Sequence, residues 1–239
     1  KMSTWRGGGN EGSAAGGRED EATGSLSLAD CESLEPTVVV LANGAQCLVR
    51  LATLDDVPAL LELERACQSN VLAASSATLR QRLSAHPTGQ YVAVAADGTL
   101  LGAAYTQRVS SCEVLLTAQR ASELALHVPS GPVMQLLGVV QRAGAAVSDA
   151  LRTFVLQLAS ADATITQACS ITRCFAFVAS GGKSYREHVA QGADPGLLYH
   201  TSAGGEIGEV VRERGRSGAV FVERVAHALS LIHISEPTR

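Results

Sequence analysis

Residues 131–152, GPVMQLLGVVQRAGAAVSDALR, constrain this chain more than any other stretch. Val133 to Val140 has the length and apolar content of a buried strand. It runs directly into the small-residue segment Gln141-Arg142-Ala143-Gly144-Ala145-Ala146. Ala150, Leu151, Phe154, Val155 and Leu158 then recur at helical spacing. A strand, a turn of small residues and a helix start together present unpaired backbone N–H groups to an anion. The small side chains let a phosphate approach the backbone, and the helix N-terminus adds partial positive charge. The same succession also serves as a tight packing turn, so the rest of the chain must decide between the two.

The ends of the 239-residue sequence differ from its middle. The first residues include GGGNEGSAAGGREDEATGS, which has no apolar period, and residues 1–45 are expected to be a disordered tail or linker. They lack the apolar core run of a signal peptide. Residues 230–239, SLIHISEPTR, resemble the translation of sequencing-adapter DNA and are expected not to belong to the natural chain. Residues 46–229 are long enough for one domain with a sizeable core.

The net charge is −4 and there is no basic patch interleaved with aromatics, which argues against nucleic-acid binding. No apolar run is long enough to span a bilayer, so no membrane association is expected. Six cysteines (Cys31, Cys47, Cys67, Cys112, Cys169 and Cys174) form no Cys-x-x-Cys pair and match no zinc spacing. Free thiols, no bound metal and an intracellular, cytoplasmic location are the expectation.

Read in order, Gln46–Ala52 is a strand. Thr53 and Asp56 make a capping-box start, with Pro58 in the first turn of the helix that follows. A second helix spans Ala77–Ser84. Gln90–Ala95 and Leu100–Val109 are strands joined by a tight turn at Ala96-Asp97-Gly98. Ser110–Leu126 is helical or irregular. The strand and helix already described follow, then a strand from Thr164 to Cys174, a loop with some helix over Gly181–Gly192, and a turn from Tyr199. The final strand is Ala219–Val225. Antiparallel hairpins early and a β-α-β unit late indicate an α/β fold, a mixed antiparallel and parallel sheet flanked by helices.

The segment from Gln141 to Ala146 is similar to the acyl-CoA pyrophosphate loop of the GNAT acyltransferase superfamily, Gln/Arg-x-x-Gly-x-Gly/Ala, with Gln141, Gly144 and Ala146 at its three positions. Further strings resemble one branch, the acyltransferase-like loading domains of modular polyketide synthases. They are Tyr105-Thr106-Gln107-Arg108, Gly131-Pro132-Val133, Gln135-Leu136-Leu137, Thr172-Arg173-Cys174, Asp194-Pro195 and Tyr199-His200. The likeness covers roughly residues 47 to 225.

The resemblance implies a GNAT fold that binds acetyl-CoA or malonyl-CoA through Leu137, Val139, Gln141, Arg142, Gly144 and Ala146. It implies passage of the acyl group to the phosphopantetheine thiol of an acyl carrier protein, with decarboxylation of malonyl-CoA in some members. Thr172 and His200 fall on the branch's catalytic positions. Losing CO₂ from a malonyl thioester leaves an enolate, which hydrogen-bond donors stabilise. A hydroxyl and an imidazole can both donate, and the imidazole can return a proton to carbon. Arg216 is the candidate for holding the malonyl carboxylate.

Two positions depart from the branch. Gln68 stands where relatives carry Trp, and the segment between Val139 and Gln141 is shorter than theirs. An N-acetyltransferase acting on a small-molecule amine is one alternative; a catalytically inactive structural module is another, and both departures favour that one. His127, before a Pro-Gly loop, is a weaker candidate than His200. Gly181-Gly182-Lys183-Ser184 ends like a phosphate-binding Walker loop, but the pattern would need Gly at Phe177, so nucleotide triphosphate binding is rejected. The run Arg212–Arg216 reads as a solvated turn.

Overall fold

The computed structural model describes residues 35–67, 73–117, 124–172, 174, 176–177, 184–214 and 221–229. Its first strand, β1 (Thr37–Val40), pairs antiparallel with β2 (Gln46–Leu51). β1 lies inside the segment expected to be linker, so the folded part begins before residue 46. Three β-branched valines favour the strand. Because Val38 and Val40 face solvent on this edge strand, no buried period marks it in the sequence.

The capping box forms as the residues dictate. The Asp56 carboxylate accepts from the Thr53 N–H at 2.8 Å, and one short 3₁₀ turn leads into α1 (Val57–Cys67). The same carboxylate takes a bidentate pair of hydrogen bonds from Arg50, at 2.7 and 2.8 Å. The Arg50 hydrogen bond is the main cause that holds Asp56 below the usual carboxylate range. A lowered acid stabilises the fold fully above its ordinary pKa of about 3.9 and loses that contribution as the pH falls through the folded value. Asp56→Asn is therefore expected to cost about 1–2 kcal/mol at pH 7. Urea midpoints should show the gap to the parent closing in strong acid.

α2 (Ser76–Ala85) follows, then β3 (Gln90–Val94), β4 (Leu100–Val109), the short α3 (Glu113–Thr117) and β5 (Val133–Gln141). α4 (Ser148–Ala161) returns the chain to β6 (Gln167–Thr172), which is parallel to β5. α5 (Tyr185–Ala190) and α6 (Pro195–Thr201) precede the hairpin of β7 (Gly205–Arg214) and β8 (Phe221–Leu229). One sheet runs in the order β1-β2-β3-β4-β5-β6-β8-β7.

Three sequence expectations are corrected here. Tyr199 begins no turn: with His200 it lies in α6, started by Asp194 as N-cap and Pro195 in its first turn. The last strand is longer than expected, and it is joined by a strand that was not. Arg212–Arg214 belong to β7 rather than to a solvated turn. β7 is the sheet's edge, where charged residues are what a strand carries to avoid pairing with other chains. That chemistry looks like a turn when the pairing is unseen.

The helices cover both faces. Leu60 and Leu63 of α1 and Leu79 and Leu83 of α2 pack on Val92, Ala103, Tyr105 and Val140. On the other face Leu151, Val155 and Ala159, four residues apart along α4, pack on Tyr91, Ala93, Ala104 and Leu136. Gly131, in the string GPVMQLL, lies against the Val109 backbone, where a Cβ would strike the carbonyl. No helix among the described residues is long and apolar enough to cross a membrane.

Candidate functional site

β5 and β6 pair only from Val133 with Gln167 to Leu136 with Ser170. Beyond that point both strands continue without each other. β5 stays paired to β4 as far as Gln141 with Gly102, and β6 to β8 as far as Thr172 with Val225. The sheet therefore forks. Among the described residues, the edge of β5 facing β6 has no ladder partner past Leu136, and such an edge can receive an extended ligand as a strand receives a neighbour.

A bulge sits at the start of the fork. Thr106 pairs with Leu136 and Tyr105 with Gly138, which leaves Leu137 unmatched. The side-chain alternation shifts accordingly. Leu136 and Val139 both pack toward α4, whereas Leu137 and Val140 pack toward α1 and α2. Leu137 and Val139 thus line the two sides of the strand where it leaves β6.

At the mouth of the fork β5 passes into the turn before α4. Gly144 has φ +75° and Ala146 φ +52°, both in the left-handed region. Alternation of this kind turns successive N–H groups toward one side. The Arg142 N–H is used by Leu101 O and that of Ala145 by Arg142 O. No group among the described residues accepts from the N–H of Ala143, Gly144 or Ala146. The space where a Gly144 Cβ would stand is empty to 4 Å. The small residues thus form an open cradle of donors on an exposed turn.

Gln141 builds this cradle from behind. Its side-chain oxygen accepts from the N–H groups of Val147 and Ser148, each at 2.9 Å, and so caps the start of α4. Val147 itself has no side chain able to do so. Its acceptor oxygen thus positions the turn expected to meet the ligand. β5 pairs with β4 right up to Gln141, which carries the strand directly into the turn.

Thr172 and His200 come from β6 and α6. Ala168 packs in the α4 core, so by alternation Ser170 and Thr172 face the same side. His200 is buried, and its ring nitrogens stand 3.3 and 3.4 Å from Ser170 Oγ, one pleat repeat before Thr172. α6 is docked on the first turn of α4: the Tyr199 hydroxyl donates to Ser148 O at 2.9 Å, and the Arg152 guanidinium lies 4.1 Å above the Tyr199 ring. Burial raises the Tyr199 hydroxyl above its ordinary range, so it stays a donor. The cradle, Thr172 and His200 therefore share one face of the sheet.

Ser170, Tyr199 and Arg152 were not among the sequence candidates as partners of this face. The signals available were the position of Ser170 two residues before Thr172 and the place of Tyr199 beside His200 in the string Tyr199-His200. His127 lies elsewhere. It stacks on His86 at 4.8 Å and accepts from the Arg108 N–H, toward the end of β4 away from the fork. Burial pushes His86 down to about 4, so that pair is uncharged at neutral pH. Arg216 and Gln68 lie outside the described residues. Cys47, Cys67, Cys112, Cys169 and Cys174 are free thiols.

Compared by sequence, the chain matches no family model and no curated protein. Compared by structure, it is similar to the GphF GNAT-like decarboxylase in complex with isobutyryl-CoA, with TM-score 0.63 and 28% identity over 77% of this chain and 98% of that one. It is also similar to the loading GNATL domain of CurA from Lyngbya majuscula, with TM-score 0.71 and 23% identity over 77% and 96%. The chain has the GNAT fold. Here the fork lies between β5 and β6, and the loop expected to meet the pyrophosphate is the cradle before α4. The mixed antiparallel and parallel sheet flanked by helices is the one the sequence implied.

Proposed function

We propose that this GNAT-fold domain takes an acyl group from CoA and passes it to the phosphopantetheine thiol of an acyl carrier protein, after decarboxylating a malonyl unit. The observation that carries this reading is the contact of His200 with Ser170, beside Thr172, on the face where the fork and the cradle open. The likeness to GphF, a GNAT-like decarboxylase with isobutyryl-CoA, supports it.

In this reading the N–H groups of Ala143, Gly144 and Ala146 meet the pyrophosphate, and the exposed Arg142 adds positive charge. The pantetheine arm lies along the free edge of β5 past Leu136. Cleavage of the malonyl C–C bond releases CO₂ and leaves the electron pair on the thioester enolate. Thr172 Oγ–H and a His200 N–H donate to the enolate oxygen, and protonated His200 returns a proton to carbon. The carrier thiolate then attacks the acetyl carbonyl, and CoA leaves as the thiolate. Arg216 remains the proposed partner of the malonyl carboxylate.

The test is incubation of the folded domain with malonyl-CoA, with and without carrier protein, following acetyl-CoA, CO₂ and acyl-carrier by mass spectrometry. No CoA binding and no turnover would overturn the reading, and acetyl transfer to an amine panel would replace it. A companion variant isolates the cradle. Gly144→Ala should cost about 1–2 kcal/mol of stability at its positive φ. It should also raise KM for the acyl-CoA several-fold with kcat little changed, because its methyl enters the anion's space.

A further inference from the structure

Past the end of β6 a thiol, an imidazole and a carboxylate converge. A ligand atom of Cys174, one of His188 and one of Asp194 all lie within 4.8 Å of one another. They arrive from three segments: Cys174 just after β6, His188 in α5, and Asp194 at the N-cap of α6. His188 Nε2 stands 3.0 Å from Asp194 Oδ2. Cys174 and Asp194 are buried, His188 half-buried.

The surroundings are those of a built site. Phe177 packs edge-on against both His188 and Tyr185, and Val189 and Leu197 complete an apolar shell with Cys174. The carboxylate is oriented by backbone donors, Ala176 N–H and Gly196 N–H, each at 2.8 Å. The Tyr185 hydroxyl, which accepts from the Cys174 N–H at 2.9 Å, stands beside the thiol. Outer partners of this kind fix the ligands of metal sites, and an apolar shell limits access by water.

We propose that Cys174, His188 and Asp194 bind a divalent zinc ion that fastens α5 and α6 to the end of β6. Thiolate, imidazole and carboxylate bind zinc at about 2.3, 2.0–2.1 and 2.0–2.2 Å, so a cluster of this span closes around the ion with side-chain adjustment alone. On binding, the Cys174 thiol gives its proton to solvent, His188 binds as the neutral imidazole, and the hydrogen bond from His188 to Asp194 gives way to the two metal bonds. The fourth position takes water. Thirteen residues separate Cys174 from His188 and five separate His188 from Asp194, a spacing that matches no zinc motif and hides the site in the sequence. The site is independent of the acyl-transfer reading, since neither Thr172 nor His200 is a ligand.

The full chain, treated with chelator and dialysed, is titrated with Co²⁺ and then with Zn²⁺. The expected result is a thiolate-to-cobalt charge-transfer band that zinc abolishes, with one metal per chain and a zinc-dependent rise in Tm. Cys174→Ser should remove the band, His188→Asn should weaken binding at least tenfold, and Cys112→Ser should leave both unchanged. Circular dichroism checks that each variant is folded. If Cys174→Ser does not fold, His188→Asn and the parent carry the test. A folded parent with no band and no zinc-dependent Tm shift would overturn the proposal, as would a band that survives in folded Cys174→Ser or binding unaltered in His188→Asn. In those cases the three residues are a hydrogen-bonded knot only.

Discussion

On the proposed reading, replacing His200 with alanine should lower kcat for malonyl-CoA decarboxylation by about 10²–10⁴, the range that a positioned acid–base group supplies. The KM for malonyl-CoA should change little. The donors that would meet the pyrophosphate belong to residues 143–146, on the turn before α4, whereas His200 comes from α6. Burial makes the imidazole's environment specific: its ring nitrogens face Ser170 Oγ, and the ring meets Tyr199 edge-on at 5.2 Å. Truncation also leaves a space beneath α6, so a fall in Tm will accompany the fall in rate. Two further variants separate these effects. Thr172→Val keeps the shape of a β-branched residue on β6 and removes one donor, and it should lower kcat about 10²–10³-fold with Tm nearly unchanged. His200→Gln restores bulk and hydrogen bonding without an acid–base group, so it should recover Tm but not kcat. Single-turnover decay of malonyl-CoA with each folded variant is the measurement. A folded His200→Ala that decarboxylates at the parent's rate would remove the imidazole from the mechanism, and a loss confined to KM would make it a binding residue.

What could be read from the sequence follows the range of the interactions that fix each element. The Thr53 and Asp56 cap, the turn at Ala96–Gly98 and the strand, turn and helix around Gly144 depend on neighbours a few residues away, and all were legible. Thr172 and His200 were named only through resemblance to a family. The contact that places His200, with Ser170, spans thirty residues and leaves no periodic trace. α6 is seven residues long, too short for an apolar stripe to declare it, although Asp194 and Pro195 were the start signal. β1 and β7 are the two edges of the sheet. Edge strands bury less and carry charge or exposed side chains, so the period-two pattern that reveals central strands fades there. Gln141 shows a different limit. A Gln in a phosphate-loop pattern suggests a ligand contact, and only its distances to Val147 and Ser148 show that its side-chain oxygen also caps a helix.

Asp162→Asn should have the largest effect on stability, about 3–5 kcal/mol, because it leaves the charge of Arg108 buried without its partner. Arg108 lies in β4 with its side chain 5% exposed, and the Asp162 side chain is 7% exposed. The guanidinium donates in three directions: Nε to Gly131 O at 2.6 Å, Nη1 to Asp162 Oδ2 at 3.2 Å, and Nη2 to Thr164 Oγ1 at 2.9 Å. It thereby joins β4, the entry to β5 and the turn from α4 to β6. Asp162 also orders that turn by accepting from the Thr164 N–H at 2.9 Å and its hydroxyl at 2.6 Å. An amide at 162 can still accept, but it brings no charge to offset the cation. Arg108→Met removes the cation and keeps much of the buried volume, so the double variant Arg108→Met, Asp162→Asn should be more stable than the sum of the single losses predicts. Urea unfolding of the four proteins in the cycle measures that coupling. Strict additivity would mean that the two charges do not compensate each other in the fold. The cluster sits at the end of β4 and β5 opposite the fork. The folded fraction of Asp162→Asn should therefore keep its kcat, and a loss of rate at full folding would show that the two ends of the sheet are coupled.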